Sequence, residues 1–314
     1  MPTHPSWSFL IENPSGTRVL FDLGIAVDWR QYAPVVSRRI TTNGWHITAD
    51  RSVADIIEDA GVPRESINSI IWSHHHWDHI GDPTTFPPST ELVVGPGFVE
   101  EYLPGWPTNE TSFLRDADIK GRKVREISFD ESLVFGNLRA YDFFGDGSFY
   151  LLDTPGHSVG HLSGLVRTTK NPDTFIFMGG DLCHHAGEVR PSKYKPLPNE
   201  IAPEILPTFL RQVCPGAVLE ELLTSRSREA DQSFFDPRLG SDIPEAIRTI
   251  GKVQEADANE NVLFLYAHDT SLLDGMVDLF PQAANNWKKN GWRAKLYWHF
   301  LGDFREALEL LGKA

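Results

Sequence analysis

The sequence has little cysteine, few basic residues and no long apolar run. Only two of its 314 residues are cysteines, Cys183 and Cys214, so it has no disulfide framework and predicts a reducing compartment. Lys and Arg number 29 against 43 Asp and Glu, and a surface this acidic repels phosphate backbones. No run of about 18 apolar residues occurs, and no basic stretch precedes an apolar one at the N-terminus. These absences predict a cytoplasmic protein that binds neither nucleic acid nor a membrane.

The chain does contain enough apolar residues for an ordinary globular protein. Hydrophobic residues make up 40% of it, and no repeat, heptad array or linker divides it, so we expect residues 1–314 to form a single domain, as a monomer or a homodimer. Ser52 and Asp55 have capping-box spacing and predict the start of a helix. Apolar segments bounded by turn residues predict strands at 7–11, 18–22, 67–72, 91–94, 124–129, 138–144, 149–153, 162–168, 175–178 and 262–266.

The strongest motif is a run of four histidines and one aspartate within six residues, directly after an apolar strand. Side chains two residues apart share a side of extended backbone, so His74 and His76 can converge on one ion while His75 points away. Asp78 and His79 follow the turn and can reach a second point nearby. Imidazole and carboxylate are ordinary zinc ligands. A solvated histidine-rich loop is the alternative, but this run is embedded after a strand and does not lie in a low-complexity tail.

Three later loops carry further ligand types, each after an apolar β-like segment. His157 ends a Thr-Pro-Gly-His sequence, Asp181 ends Gly-Gly-Asp, and His268 lies in Ala-His-Asp. Because functional side chains of sheet-based enzymes collect at one rim of the sheet, we expect these loops to join the histidine motif. The partition that we expect has His74, His76 and His157 on one ion, Asp78, His79 and His268 on a second, and Asp181 between them.

The order of these motifs resembles the metallo-β-lactamase superfamily over roughly residues 6–275, which is far more specific than one short motif. The resemblance implies an α/β fold, a four-layer αβ/βα sandwich, and the same partition of ligands. It also implies two zinc ions with a water or hydroxide held between them; manganese, iron or cobalt stay open. The stretch from about 184 to 258 is helix-leaning and broken by prolines, and it looks like an insertion before C-terminal helices.

This arrangement predicts hydrolysis. Two cations lower the pKa of a shared water and stabilise the oxyanion that forms when the water attacks a carbonyl. Asp78 has a second role in this interpretation, because its outer oxygen can accept the nucleophile's proton and pass it to the leaving group. An ester, thioester or amide is the expected substrate.

The resemblance is strongest to the N-acyl homoserine lactone lactonases and related fungal lactone or lactam hydrolases. Asp181 stands where class B1 β-lactamases use a cysteine, and Cys183 is expected to be a buried packing residue. Those lactonases carry a tyrosine three residues after the bridging aspartate, where this chain has His184. Its imidazole can donate to the oxyanion or protonate the leaving group; a histidine outside the reaction is the alternative. We therefore predict that a lactone, lactam or cyclic carbamate is opened by attack of a metal-bridging hydroxide.

Three tryptophans suit an apolar or aromatic cyclic substrate, namely Trp29, Trp45 and Trp77. Trp77 can instead pack beneath the metal loop. The other two lie in the segment 25–50, which we interpret as irregular, and their alternative is a small core of that loop. We expect specificity to reside in this segment and in the insertion that begins at His184.

Two other functions stay open. A thioester hydrolase similar to glyoxalase II would need a basic pocket for its anionic substrate, and Arg190, Lys193 and Lys195 are the candidates, although a solvated loop explains them better. A metal-binding scaffold without catalysis is the second alternative, which the complete ligand set and Asp78 disfavour.

Several polar residues near the motifs have weaker arguments. Asp22 ends a predicted strand, where a hydrogen-bond acceptor that fixes the loop is the favoured role and a group behind the metal loop is the alternative. His75 and His161 are expected to be structural or to support the ligands. Three histidines have no argument for function: His4, His46 and His299.

Overall fold

The computed structural model describes residues 3–199 and 215–310. The first sheet contains β1 (Phe9–Glu12), β2 (Arg18–Phe21), β3 (Ile67–Ile71), β4 (Glu91–Val94) and β5 (Val124–Glu126), paired in that order. The second contains β6 (Val134–Phe135), β7 (Leu138–Asp142), β8 (Phe149–Asp153), β9 (Leu162–Thr169), β10 (Thr174–Met178) and β11 (Val262–Leu265), in the order β11-β10-β9-β8-β7-β6.

Nine α-helices lie in the same described ranges, joined by short 3-10 turns. They are α1 (Pro34–Asn43), α2 (Val53–Asp59), α3 (Trp77–Ile80), α4 (Phe98–Tyr102), α5 (Asp116–Ile119), α6 (Pro215–Ser225), α7 (Ile243–Ala258), α8 (Trp292–Leu296) and α9 (Arg305–Leu310). Over 3–199 and 215–310, no helix combines the length and the apolar character that crossing a membrane requires.

Strand direction brings several carboxyl ends to the same rim. In the first sheet, β2 to β5 are parallel, and only β1 is antiparallel to its neighbour. In the second, β9 is antiparallel to both β8 and β10, while β11 is parallel to β10. The strands β8, β10 and β11 therefore run in one direction, and the loops that follow them leave the sheet at one edge.

Side-chain alternation along the strands separates three apolar layers. Val93 faces a core between the two sheets, whereas Leu92 and Val94 face helices on the outer side of the first sheet. In the second sheet Leu151 points to the same inner core and Leu152 to the helices on the outer side. Helix, sheet, sheet and helix layers follow, which confirms the predicted α/β four-layer sandwich. That residues 1–314 form one domain stays a prediction.

The interpretation of residues 25–50 as irregular is wrong in part, because α1 lies within them. Pro34 is its first residue, and Gly44, at φ +65°, ends it in the left-handed conformation. The sequence of α1 is rich in Val, Ile and Thr, which are weak helix formers. Val36 and Ile40, one turn apart, are buried against the first sheet, so packing decides what local propensity does not.

The helices predicted after Ser52 and within residues 184–258 are present in the structure. Ser52 and Asp55 form the predicted capping box, and α2 follows directly. Two helices, α6 and α7, fall within the predicted insertion at 184–258, and Val218 of α6 packs on the outer face of the second sheet. Its residues 200–214, including Cys214, lie outside the described ranges. Cys183 is fully buried in that same apolar layer, as expected of a packing residue.

Candidate metal centre

Every loop that carries a predicted ligand leaves the carboxyl end of a strand. The histidine motif follows β3, His157 follows β8, Asp181 follows β10, and His268 follows β11. The two sheets meet at this rim, where the Leu162 backbone N–H donates to the Ser73 carbonyl at 2.8 Å. All seven predicted ligands lie there. One close group contains His74, His76, His157 and Asp181, and a second contains Asp78, His79 and His268; Asp181 also lies close to His184 and His268.

The first group is compact. The ring nitrogens of His74 and His76 are 2.8 Å apart, and His157 Nε2 lies 3.2 Å and 3.0 Å from them. Asp181 Oδ2 completes the group at 3.7 Å from His74 Nε2 and 3.5 Å from His157 Nε2. Ligands on a tetrahedral zinc ion are about 3.3 Å apart, since each Zn–N bond is about 2.0 Å. These three nitrogens and one oxygen therefore fit one such ion.

The second group uses the other oxygen of the shared carboxylate. Asp181 Oδ1 is 3.2 Å from His79 Nε2 and 3.2 Å from His268 Nε2. Asp78 Oδ2 lies 3.9 Å from the first of these nitrogens and 3.7 Å from the second. His79 Nε2 and Asp181 Oδ1 are buried, and neither makes a well-directed hydrogen bond within the described residues. Two buried polar atoms that converge without a well-directed hydrogen bond between them are better explained by a cation that both would bind.

The electrostatic environments of the two groups differ. Burial holds the pKa of His74 and of His157 well below the ordinary value, so both rings are neutral, the form that binds metal. Burial also lowers the pKa of His79 and His268, but nearby carboxylates raise them by more, that of His268 to about 9. Although burial opposes it, these two rings hold the pKa of Asp181 well below its usual range. The negative charge of nearby carboxylates therefore acts more strongly on the histidines of the second group than on those of the first.

Asp22 lies behind the metal loop and supports ligands of both groups. Its carboxylate accepts the Ser73 backbone N–H and hydroxyl, each at 2.7 Å, and the Nδ1–H of His79 at 2.9 Å. Because the Ser73 hydroxyl donates to Asp22, it accepts from the Nδ1–H of His74 at 3.0 Å. The favoured loop-fixing role is therefore incomplete, since Asp22 also orients imidazoles that are predicted ligands. No motif pointed to Ser73, although its place between strand and motif is a usable signal.

His161 and His75 have different roles beside the ligands. The buried ring of His161 accepts the Asp181 backbone N–H at Nε2, 3.0 Å away, and donates from Nδ1 to the Thr154 carbonyl at 2.9 Å. Burial lowers the pKa of His161 to about 4, so the ring stays neutral in this arrangement. His75 stacks on Tyr102 with centroids 3.9 Å apart, and burial lowers its pKa to about 2. His161 thus supports a ligand loop, and His75 packs outside the two ligand groups.

His184 lies inside the centre. Its Nε2 is 3.2 Å from Asp181 Oδ2, and its ring stacks on that of His268 with centroids 5.7 Å apart and planes 18° apart. Its backbone N–H donates to Glu188 Oε2 at 3.0 Å, and its side chain is 20% exposed. His184 is therefore not a surface residue of the insertion, and it can reach a molecule bound beside Asp181.

Two of the three tryptophans stack on each other. Trp45 stacks on Trp77 with ring centroids 5.7 Å apart and planes 21° apart. Trp77 lies between His76 and Asp78 in sequence. Trp77 and Trp29 both pack on the outer core of the first sheet, and the Arg30 guanidinium lies 4.6 Å from the ring centroid of Trp29.

Two of the three basic residues considered for an anionic substrate are paired with carboxylates. Arg190 is buried and holds Asp257 through three hydrogen bonds of 2.6–3.2 Å. Lys195 pairs with Glu260 at 2.6 Å, and Lys193 lies against the ring of Tyr194. The interpretation of Arg190 as a solvated cation is therefore wrong, because the sequence does not show that its partner lies 67 residues away.

The N-terminal segment also reaches the centre, which the sequence does not indicate. His268 donates from Nδ1 to the Pro5 carbonyl at 2.7 Å, and the His4 ring stands edge-on to that of His268 with centroids 6.3 Å apart. His46 and His299 stay without a role; the latter pairs with Asp274 at 2.8 Å.

Comparison with known proteins gives matches of three kinds. Residues 1–170, more than half of the chain, match the family model described as the metallo-beta-lactamase superfamily. The gamma-lactamase FDB1 of Fusarium pseudograminearum is 44% identical over 310 residues, covering 95% of this chain and 74% of that protein. The metallo-hydrolase mfmC of Annulohypoxylon moriforme is 44% identical over 313 residues, covering 98% and 81%. A crystal structure of B. thuringiensis AiiA with N-decanoyl-L-homoserine at its active site has a TM-score of 0.57 at 18% identity, covering 89% and 86%, a likeness of fold alone.

Proposed function

This chain belongs to the metallo-β-lactamase superfamily, and we propose that it is a dinuclear metal-dependent hydrolase that opens a cyclic ester or amide. The observation that carries the proposal is the pair of ligand groups joined by the two oxygens of Asp181. A lactone, a lactam and a cyclic carbamate share the acyl carbon that such a centre attacks. The similarity to a fungal gamma-lactamase supports the amide among them.

Seven residues would hold the ions: His74, His76, His157, Asp78, His79, His268 and Asp181. Their five imidazoles and two carboxylates favour zinc, with manganese, iron or cobalt as alternatives. When bound, two such cations would supply an activated water and positive charge opposite the oxyanion.

Asp78 is the residue we propose for proton transfer. Its Oδ2 faces His79 and His268, and its side chain is 18% exposed, so the carboxylate borders both the second ligand group and the open side of the centre. A carboxylate in this place can accept the nucleophile's proton and return it to the leaving oxygen or nitrogen. The leaving group stays attached to the ring-opened product, so the proton moves within one bound molecule.

His184 is the residue we propose for the substrate carbonyl or the leaving group. The side chain is partly exposed on the side of Asp181 that faces the first ligand group, where a bound carbonyl would lie. An imidazole N–H there can donate a hydrogen bond to the developing oxyanion or a proton to the departing atom.

The ring stack of Trp45 and Trp77 supports a small apolar or aromatic substrate. The ring of Trp45 is 36% exposed and stacks on the residue between His76 and Asp78, and aromatic faces bind planar rings by offset stacking. The thioester alternative has no comparable support, because Arg190 and Lys195 are neutralised by Asp257 and Glu260.

Metal analysis followed by a substrate panel tests the proposal. The panel contains γ-lactones, ring-fused lactams, cyclic carbamates, homoserine lactones and a glutathione thioester. We expect two ions per chain, turnover of at least one cyclic substrate, loss of that turnover on chelation and its return with zinc. Replacing Asp78 by Asn should lower kcat by about 10²–10⁴-fold, the usual contribution of a general base. Full activity of metal-free protein, or turnover of the thioester alone, would contradict the proposal.

A further inference from the structure

The N-terminal segment, which we define as residues 4–8, lies along the loop that carries His268. Three hydrogen bonds join them across more than 250 residues of sequence. The Trp7 backbone N–H donates to the Ala267 carbonyl at 3.1 Å, and its indole N–H donates to the Asp269 carbonyl at 2.9 Å. The third runs from His268 Nδ1–H to the Pro5 carbonyl at 2.7 Å. The segment thus bonds to each of the three residues 267, 268 and 269.

The opposite side of the same loop is fixed by the loop that carries Asp181. The Ala267 backbone N–H donates to the Gly180 carbonyl at 3.0 Å, so Ala267 is bonded on both sides. Gly180 has φ +55°, and a Cβ there would lie 3.0 Å from His161 Nε2 and from the Ser73 Cβ, so the approach requires glycine. His268 therefore stands between a tightly packed loop and the N-terminal segment.

We propose that the N-terminal segment is a positioning element of the second metal site, acting through Pro5 and Trp7 on His268. This inference rests on the proposed dinuclear centre. The Pro5 carbonyl fixes the tautomer of His268, because a ring that donates from Nδ1 presents the lone pair of Nε2 to the ion. Trp7 holds the backbone on both sides of that ring. The first site has no equivalent need, since His74 is fixed by Ser73 within the motif itself.

The test compares two identical changes in tryptophans of the same apolar core. Replacing Trp7 by Phe removes the indole bond to Asp269 and keeps an aromatic ring in the core between the sheets. Replacing Trp287 by Phe is the control, because this fully buried tryptophan lies in that core and its indole donates to Thr168 Oγ1 at 3.1 Å, at the end of β9 opposite the rim that carries the ligand loops. Each protein is stripped of metal and titrated with cobalt in competition with a chelator, and the visible absorption of each bound ion is followed.

We expect Trp7→Phe to weaken the second cobalt ion by about 10-fold, the lower end of the effect of groups that orient metal ligands, with the first ion within twofold of wild type. The absorption of the second ion should shift, and Trp287→Phe should change neither ion. Equal affinities in Trp7→Phe and wild type, or equal losses in both variants, would overturn the inference.

A second variant covers the case in which Trp7→Phe does not fold. Pro5→Gly keeps the carbonyl but frees its φ angle, so the second ion should weaken by a smaller factor while the chain keeps its core. Unchanged binding in Pro5→Gly would then overturn the inference. A wild-type protein that takes up one ion only would overturn the dinuclear proposal and this inference together. If wild type binds two ions, the dinuclear proposal stands, and the variants then test this inference alone.

Discussion

The two ligand groups of the centre are built in different ways. The first takes two of its three histidines from a single strand-to-loop junction, and its nitrogens are 2.8–3.2 Å apart. The second joins Asp78 and His79 to His268, which lies 189 positions after His79 and is held by Asp181, Gly180 and residues 5–7. Each group therefore takes two ligands from residues 74–79 and a third from a distant loop, but the distant ligand of the second group also bonds through its ring to the N-terminal segment. We expect the second ion to be the weaker and the more sensitive to change.

The largest effect is expected from a change in Asp181, the residue that both groups share. Asp181→Asn keeps the shape of the side chain but leaves one neutral oxygen for two ions. Because groups that merely orient ligands alter metal affinity by about 10–100-fold, loss of a bridging ligand should weaken the second ion by more than 100-fold. Activity on a cyclic substrate should fall with it, while the first ion keeps three histidines and binds more tightly than the second.

Stepwise zinc titration with chelator competition measures this difference. His161→Ala is the control, since it removes a bond to the Asp181 backbone but no ligand atom. Equal loss of both ions in Asp181→Asn would break the distinction between the two groups.

Substitutions of His184 test whether this side chain beside Asp181 binds an ion or contacts the substrate. Its ring lies 4.9 Å from that of His157 and 5.7 Å from that of His268, so it borders both groups. If its imidazole donates to the oxyanion, His184→Ala should lower kcat by about 10²–10³-fold and leave both metal affinities unchanged. His184→Tyr restores a donor and should recover part of the rate.

Parallel kinetics and metal titration separate these roles. A fall in the affinity of either ion in His184→Ala would identify the imidazole as a ligand, and an unchanged kcat would remove it from the reaction.

Much of the centre was predictable because its signals are local. Each ligand follows an apolar strand within a few residues, and the order of the motifs predicted the superfamily and its lactonase-like branch, both now confirmed. The residues that escaped prediction act over long distances. Pro5 accepts a hydrogen bond from His268, 263 positions later in the sequence, and the buried Arg190 pairs with Asp257, 67 positions later. The helix α1 escaped because its β-branched sequence is helical only through burial against the first sheet.

Asp22 offers a finer comparison, because its carboxylate contacts the second group directly and the first through Ser73. In Asp22→Asn the amide can still accept one bond, but the charge that faces His79 Nδ1–H is lost. We expect the second ion to weaken by about 10–100-fold and the first by less. In Ser73→Ala the order should reverse, since the link to His74 is removed while the bond from His79 to Asp22 stays.

Cobalt titration of the two variants side by side reads both ions in one experiment. Identical profiles for Asp22→Asn and Ser73→Ala would mean that the motif loop responds as a unit and that its two groups are not independently supported.

The smallest expected effect concerns Trp45, which stacks on Trp77, the residue between His76 and Asp78 in sequence. Trp45→Ala should raise KM for a ring-fused aromatic lactam or lactone about 3–10-fold, since a stacked aromatic pair contributes about 0.5–1.5 kcal/mol, and leave kcat and both metal affinities unchanged. Trp106→Ala is the matched control, because Trp106 is 37% and Trp45 36% exposed, and we expect the loss of either ring to disturb the fold little. A homoserine lactone without an aromatic ring should show no change in either variant. If Trp45→Ala instead lowers kcat for every substrate, the stack supports the ligands through Trp77, and the separation of substrate wall from metal centre fails.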